Sequence, residues 1–337
     1  MTIKVAINGF GRIGRNVARA IISDHSHEID LLAINDSASV ETNLHLLKYD
    51  SIHGMLAADI EKINSDLFKI NKKQIKKFSS KDPKDIPWGE LDIDLVLECT
   101  GKFNDKKSSF KHISAGAKKV LVSAPAKGVD ITAVFGVNHL EIKPDHRVIS
   151  NASCTTNALA PLAMVLNDTV GIDTAFMTTI HSYTGDQPTL DRNHKDLYRS
   201  RSAAQSIIPT TTGAAISVGE VIPQLKGKID GIAMRVPIPN VSAIDLKFTT
   251  NKDTNINQIN EILVQASKNQ FQNILNTTND KLVSIDINHD SHSAVIALDQ
   301  TRVTNKKLVR VMAWYDNEWG FSQRMCDMAR HISRLPS

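Results

Sequence analysis

The chain has 337 residues, 41% of them hydrophobic and 23% charged, which excludes intrinsic disorder and, at roughly 150 residues per domain, predicts two domains. Its 40 basic and 36 acidic residues leave a formal charge of +4, too near balance to make nucleic acid or a membrane surface the main partner. Three cysteines with no Cys-x-x-Cys exclude a disulfide framework and a cysteine zinc site, and they fit a reducing, cytoplasmic compartment.

Ile3 to Ile7 reads as a strand, and Ile13, Val17 and Ile21 at four-residue spacing predict the helix after it. Lys4, Arg12, Arg15 and Arg19 interrupt any apolar leader, so no signal segment is expected. Leu31 to Ile34 is the next strand. Leu95 to Leu97 and Val120 to Val122 follow, closing at Thr100-Gly101 and at Ser123-Ala124-Pro125. This alternation predicts βαβ units around a parallel sheet. Phe78 to Pro87 reads as a surface excursion. The longest uncharged run, Val148 to Asn167, carries Ser150, Asn151, Ser153, Thr155, Thr156 and Asn157, and is therefore not a membrane span. Beyond about residue 150 the strands come with fewer helices between them: Thr174 to Ile180, Gly231 to Val236, Val241 to Phe248, Ala294 to Leu298 and Leu308 to Trp314. A mixed or antiparallel α+β domain is the expectation. Asn257 to Gln270 reads as a helix, and so does the tail after Gly320, with Met325, Met328 and Ile332 on one face.

Asn8-Gly9-Phe10-Gly11-Arg12-Ile13-Gly14 contains Gly-x-Gly-x-x-Gly between a predicted strand and a predicted helix, and Asp36 ends the next strand. That context turns a weak motif into a dinucleotide signature. The glycines allow a tight turn and close approach of a pyrophosphate, the helix N-terminus offers free N–H groups, and the acid accepts from ribose hydroxyls.

Cys154 stands in Ser150-Asn151-Ala152-Ser153-Cys154-Thr155-Thr156-Asn157, just ahead of the apolar helical pattern Leu159 to Leu166. A thiol at a helix N-terminus is expected to favour thiolate, and His181, at the end of a later strand, can move the proton. The polar neighbours separate Cys154 from Cys99 and Cys326, whose apolar settings read as inert buried thiols. Pro161 inside the helix should kink it.

These segments, together with His181-Ser182-Tyr183-Thr184-Gly185-Asp186-Gln187, Pro209 to Ala215, Arg235-Val236-Pro237 and Trp314-Tyr315-Asp316-Asn317-Glu318-Trp319-Gly320, resemble the phosphorylating glyceraldehyde-3-phosphate dehydrogenases of bacterial type, from Lys4 to about Ile332. The resemblance implies an α/β fold: a Rossmann dinucleotide-binding domain over residues 1–150, joined by a C-terminal helix at about 318–337, and an α+β catalytic domain with a mixed, largely antiparallel sheet over 151–317. It implies a homotetramer in glycolysis and gluconeogenesis that oxidises glyceraldehyde 3-phosphate with NAD and inorganic phosphate through a thioester. Cys154 and His181 become the catalytic pair. Gly9, Gly11, Arg12, Ile13, Gly14, Asp36, Thr100, Ser123 and Asn317 become the cofactor set, with Asn317 on the nicotinamide amide. Thr184 and Arg235 hold the substrate phosphate, while Ser153, Thr155, Thr212 and Gly213 hold the attacking phosphate. No metal site is implied.

The chain departs from the family pattern at four places. Ala158 replaces a second Cys, Lys81 an Arg, Ser37 a Leu, and Arg192-Asn193 an apolar-Pro pair in the loop that reaches a neighbouring subunit's cofactor. The changes at Ser37 and at Arg192-Asn193 bear on NAD against NADP, and the expectation is NAD with weaker NADP use. Erythrose-4-phosphate dehydrogenase is the nearest alternative, through Leu282 to Ser293, but this chain keeps the Tyr-Thr-Gly-Asp-Gln and Thr-Thr-Thr-Gly segments from which that enzyme departs. A semialdehyde dehydrogenase lacks the Tyr-Asp-Asn-Glu block, and +4 gives no electrostatic case for an RNA-binding role.

Overall fold

The computed structural model describes residues 2–336. Met1 and Ser337, the outer ends of the expected domain spans, lie outside the described residues. Two compact units result: residues 2–135, 139–152 and 322–336 form the first, and 136–138 with 153–321 form the second.

The first unit runs β1 (Ile3–Asn8), α1 (Arg12–Ser23), β2 (Ile29–Asn35), α2 (Val40–Lys48), β3 (Tyr49–Asp50), β4 (Gly54–Met55), β5 (Ile60–Lys62), β6 (Leu67–Ile70), β7 (Lys73–Phe78), β8 (Leu95–Glu98), α3 (Lys106–Ser114), β9 (Lys119–Val122), β10 (Ile131–Thr132) and β11 (Val148–Ser150). Its nine-stranded sheet has the order β10-β11-β9-β8-β1-β2-β7-β6-β5. Every pairing from β10 across to β7 is parallel, and β7, β6 and β5 add an antiparallel edge. This is the Rossmann unit the motif implied. Strand order reverses on the two sides of β1, and at such a switch point a crevice opens beyond the strands' carboxyl ends. β8 is buried along its whole length, as a strand covered on both faces should be.

Phe78 to Pro87 is less of an excursion than expected. Ile86 is buried, and Phe78 packs edge-on against the buried Trp88 at 5.7 Å, inside the cluster that holds Val96, Val120 and Val148. Among the described residues no helix is long and apolar enough to cross a membrane.

The second unit runs α4 (Cys154–Thr169), β12 (Ile172–Ser182), β13 (Ile208–Thr211), α5 (Ala214–Val221), β14 (Ile229–Val236), β15 (Ser242–Thr250), α6 (Ile256–Lys268), β16 (Leu275–Thr278), β17 (Ala294–Ala297), β18 (Arg302–Thr304) and β19 (Leu308–Tyr315). A final helix, α7 (Trp319–Ser333), starts here, and from Ser322 on its residues belong to the first unit. The sheet order is β13-β14-β12-β15-β19-β17-β16, with β18 beside β19. Only β12–β14 and β16–β17 are parallel, so the sheet is mixed and largely antiparallel. This topology gathers the carboxyl ends of β12, β14 and β19 and the amino end of β15 at one edge. His181 is the register partner of Arg235, and Ser242 that of Tyr315. α4 continues through Pro161 without a break.

Candidate active site

In the first unit, the turn after β1 shows why each glycine stands where it does. Gly9 has φ +89°, and a Cβ there would lie 2.7 Å from the Thr100 backbone nitrogen. A Cβ on Gly14 would lie 2.1 Å from the Gly9 carbonyl oxygen. The protein's own packing demands these two. Gly11 differs, because a Cβ there meets nothing within 4 Å. Gly11 is also the N-cap of α1, which has no side-chain cap and no acid in its first turn, whereas Ser39, Asp105, Ser153 and Asn255 cap α2, α3, α4 and α6. Free N–H groups under open space form an anion cradle, and a dinucleotide's pyrophosphate fits it.

Asp36 is tied to that turn. Its Oδ2 accepts from Phe10 N at 2.9 Å and its Oδ1 from Ala38 N at 2.8 Å. Gly9, Gly11, Asp36, Ser37, Lys81 and Thr100 are among the residues lining a cleft of about 360 Å³. Arg12 turns to Asp50 in a two-pronged pair, with contacts of 2.5 and 3.2 Å. Burial alone would raise the Asp50 carboxyl, but the His53 and Ile52 amides and the Arg12 fork hold it down at about 2. Ile13 is half-buried on α1. Ser123 donates its N–H to Glu98 O at 2.9 Å, and its hydroxyl pairs with the Cys99 thiol.

Sequence reasoning missed what lies under the cleft. Glu98, fully buried, accepts from Asn8 Nδ2 at 2.5 Å, His112 Nε2 at 3.0 Å and Thr100 N at 2.8 Å. Trp88 donates its indole N–H to His112 Nδ1 at 3.0 Å, which makes Nε2 the protonated nitrogen.

Ala152, the last residue of the first unit before the N-cap Ser153, adopts φ +55°, a left-handed conformation costing about 1–2 kcal/mol in a non-glycine residue. Ser153 Oγ then accepts from Thr156 N at 3.0 Å, and α4 begins at Cys154. The N–H groups of Cys154 and Thr155 point at the sulfur. His181 Nε2 lies 3.6 Å from Cys154 Sγ. On the other side of the ring, His181 Nδ1 lies 2.8 Å from Ser182 O and 2.7 Å from the Arg235 guanidinium, which itself donates to Ser182 O at 2.8 Å.

Charge states follow from this packing. Burial, then the Arg235 charge, pushes His181 down to about 3, so the imidazole is neutral. Burial pushes the Cys154 thiol up, and Arg235 and the Thr155 donors pull against it without prevailing. The thiolate expected from the helix end is therefore not the resting state. A neutral thiol faces a neutral imidazole, because desolvation outweighs the helix N-terminus.

The remaining expected residues are placed as follows. Arg235 keeps a buried Nε with no partner among the described residues. The Thr184 hydroxyl, half-exposed, makes no hydrogen bond there. The Thr155 hydroxyl is buried against Tyr315 OH at 2.9 Å, and Tyr315 OH also meets Thr179 Oγ1 at 2.8 Å. Gly213 is the N-cap of α5, again without a side-chain cap, and a Cβ there meets nothing within 4 Å; Thr212 Oγ1 accepts from Ala214 N at 3.2 Å. No hydrogen bond among the described residues joins Thr212 or Gly213 to Cys154 or His181. Asn317 Oδ1 accepts from Ser182 Oγ at 2.9 Å and Ser242 Oγ at 2.8 Å.

One further cation emerges from the structure. Arg199 donates to Thr210 Oγ1 at 2.9 Å and to Asp186 at 3.2 Å, and its charge depresses both His181 and Arg235. The sequence held only a faint signal for it, an Arg in the loop ahead of Thr-Thr-Thr-Gly.

One chain that carries a Rossmann unit with an open glycine cradle and a second unit with a partly buried thiol against an imidazole has the make-up of an NAD-binding oxidoreductase. Sequence models describing the NAD binding domain and the C-terminal domain of glyceraldehyde 3-phosphate dehydrogenase match residues 3–106 and 153–317. A glyceraldehyde-3-phosphate dehydrogenase of Xanthobacter flavus is 54% identical over 335 residues, covering 99% of this chain and 100% of the relative. Relatives of the same name from Cereibacter sphaeroides and Geobacillus stearothermophilus are 52% and 49% identical, covering 99% of this chain and 100% and 99% of their own lengths. The chain belongs to the glyceraldehyde 3-phosphate dehydrogenase family.

Proposed function

We propose that this chain catalyses the phosphorylating oxidation of glyceraldehyde 3-phosphate to 1,3-bisphosphoglycerate. The observation that carries this reading is the 3.6 Å contact between Cys154 Sγ and the neutral His181 Nε2, in a chain of this family.

His181 Nε2 takes the thiol proton as Cys154 Sγ adds to the aldehyde carbon. The alkoxide so formed meets the Cys154 backbone N–H and the newly protonated Nε2, donors aimed where charge develops. NAD, when bound, supplies the hydride acceptor. Loss of hydride from the carbon bound to Cys154 leaves a thioester. Inorganic phosphate attacks its carbonyl, the C–S bond breaks, and Cys154 regains its proton.

Arg235, through its unpartnered edge, and Thr184 hold the substrate phosphate; a planar guanidinium with a hydroxyl suits that anion. The attacking phosphate falls to Ser153, Thr212 and Gly213, with the uncapped start of α5 supporting the assignment. The Thr155 hydroxyl meets Tyr315 OH and also stands beside the Cys154 sulfur, so Thr155 serves this site through both its hydroxyl and its backbone N–H.

The Gly9 to Gly14 turn, Asp36 and Thr100 bind NAD, with Arg12, Ile13 and Ser123 at its margins, and NADP is a weaker second cofactor. Asn317 takes the nicotinamide amide. We read the enzyme as a cytoplasmic homotetramer of glycolysis and gluconeogenesis. Exposed Leu190, Leu197, Tyr198 and Ile207 in one loop of the second unit are consistent with subunit contacts. A steady-state comparison of glyceraldehyde 3-phosphate with erythrose 4-phosphate, each with NAD or NADP and with or without phosphate or arsenate, tests the reading. Glyceraldehyde 3-phosphate with NAD and phosphate should give the highest kcat/KM, and a preference for erythrose 4-phosphate overturns it.

A further inference from the structure

The edge of the second unit's sheet that carries His181 and Arg235 also brings three polar side chains together. Ser182 ends β12, Ser242 opens β15, and Asn317 follows β19 by two residues. All three are buried, Ser182 and Ser242 almost completely. Both hydroxyls donate to one atom, Asn317 Oδ1, at 2.9 and 2.8 Å. Ser242 Oγ in turn accepts from Ser182 N at 3.1 Å.

That chain of bonds selects one face of the Asn317 amide. A hydroxyl that accepts from a backbone N–H still has a proton to place, and in a buried site it needs an acceptor. Asn317 Oδ1 is the acceptor for both serines. Turning the amide over would set its NH2 against two hydroxyls and strand both their protons. The observed orientation leaves Asn317 Nδ2 with no hydrogen bond among the described residues. Asn317 is therefore a donor only toward anything that approaches it. Its backbone is fixed as well: the neighbouring Asp316 carboxylate accepts from Asn240 Nδ2 at 2.9 Å, His289 N at 2.7 Å, Glu318 N at 2.9 Å and Trp319 N at 2.8 Å.

We propose that Ser182 and Ser242 are positioning residues for the cofactor: their paired hydroxyls lock Asn317 as an NH2 donor, so that it engages only the carboxamide oxygen of nicotinamide and thereby fixes which face of the ring takes the hydride. The inference rests on the reading that Asn317 meets the nicotinamide amide. A carboxamide has one accepting and one donating end, so a partner that can only donate distinguishes them, and a ring turned over about its glycosidic bond no longer finds its match.

The test is calorimetric binding of NAD to the full-length protein with Ser182→Ala/Ser242→Ala, alongside the melting temperature with and without NAD and the face of deuteride transfer from 1-deuterated glyceraldehyde 3-phosphate. The double variant should raise the Kd for NAD about tenfold, shrink the NAD-dependent gain in Tm, and place deuterium on both faces of the product nicotinamide. The Tm without NAD and the KM for the aldehyde should stay close to wild type. Ser242→Ala alone removes a single oxygen and should raise Kd about threefold, which keeps the test available if the double variant folds poorly. Asn317→Ala separates the two layers. If it binds NAD as the wild type does, the assignment of Asn317 fails. If it weakens NAD while the serine variants bind NAD normally and keep single-face transfer, the positioning role fails.

Discussion

His181 Nδ1 and the Arg235 guanidinium lie 2.7 Å apart on adjacent strands, so the imidazole and the cation share one environment. A guanidinium can only donate and a carbonyl can only accept. Ser182 O asks Nδ1 to donate and the Arg235 N–H asks it to accept, so the two contacts are not hydrogen bonds at the same time; the tautomer that donates Nδ1–H to Ser182 O leaves the Nε2 lone pair toward Cys154, with Arg235 donating to Ser182 O. Proton transfer to Nε2 then creates an imidazolium against a fixed positive charge, and this is why burial and Arg235 together hold His181 at about 3. Under the proposed function, a substrate phosphate held by Arg235 would offset that charge and make the imidazole a better base.

Alkylation of the thiols reads this balance. Burial pushes Cys154 above the ordinary thiol value, so its thiolate grows as pH rises and is lost as pH falls. Iodoacetamide inactivation should accordingly keep accelerating through about pH 8.5 instead of levelling off near neutrality. Cys154 should still react first, because burial holds Cys326 up at about 12 and raises Cys99 too, and neither has an imidazole in hydrogen-bond contact among the described residues. Peptide mapping against residual activity checks this. Label on Cys99 or Cys326, with Cys154 intact while activity disappears, removes Cys154 from the mechanism.

Arg235→Leu should act mainly on phosphorylated substrate. Losing charge-assisted bonds to phosphate costs about 1.5–3 kcal/mol, or roughly ten- to a hundredfold in kcat/KM for glyceraldehyde 3-phosphate. Unphosphorylated glyceraldehyde should lose far less, and the pH for half-maximal alkylation of Cys154 should move, since a charge has left both partners. An equal loss on the two aldehydes would mean that Arg235 supports the fold or the chemistry and not the phosphate.

The three glycines of the cradle separate folding from binding. Gly14→Ala forces a Cβ to within 2.1 Å of the Gly9 carbonyl, and overpacking of that kind costs about 1–3 kcal/mol or more, a drop of several degrees in Tm. Gly11→Ala meets no protein atom within 4 Å, so the Tm without NAD should hold while the KM for NAD rises about tenfold or more. Unchanged NAD binding in a folded Gly11→Ala protein would show that the pyrophosphate does not lie over this residue.

Local chemistry was legible in the sequence, and long-range register was not. The glycine turn and the start of α4 at Cys154 announce themselves, because strand, turn, cap and helix are consecutive residues. The alternation of Lys73 to Phe78 was obscured by its lysines, and the antiparallel edge of β5 to β7 went unread. Arg199, the Glu98–His112–Trp88 chain and the Ser182–Ser242 pair depend on which strands lie side by side, and nothing in the spacing of Glu98 and His112 says that they touch at 3.0 Å. The neutral state of Cys154 had the same origin. Sequence showed a helix end, while only the packed structure shows how much water has been removed around the sulfur.

In the proposed function cofactor choice turns on Asp36, which would serve both the glycine turn and the ribose. Its carboxylate holds the glycine turn through Phe10 N and Ala38 N, and each oxygen keeps a lone pair for a ribose hydroxyl. Its charge repels a 2′-phosphate across the same short distance. Ser37 is exposed at the cleft and offers a hydroxyl to that phosphate, and Lys81 lines the cleft too. Arg192 and Asn193 are exposed in the other unit, and an exposed Arg is ordinarily solvated. A carboxylate fixed at the proposed ribose site should outweigh an exposed hydroxyl, so wild type should use NAD with the higher kcat/KM and show measurable NADP activity. Asp36→Gly should lower NAD use on two counts, the lost ribose acceptor and the slackened turn, while NADP gains from removal of the like charge. Asp36→Asn keeps one acceptor for the turn and removes the charge, so its NADP to NAD ratio should rise with a smaller loss of NAD binding. Kinetics of both variants with both cofactors decide the matter: a wild type that already prefers NADP, or an Asp36→Asn protein with an unchanged ratio, would mean that Ser37 and its neighbours set the preference and that the carboxylate serves the turn alone.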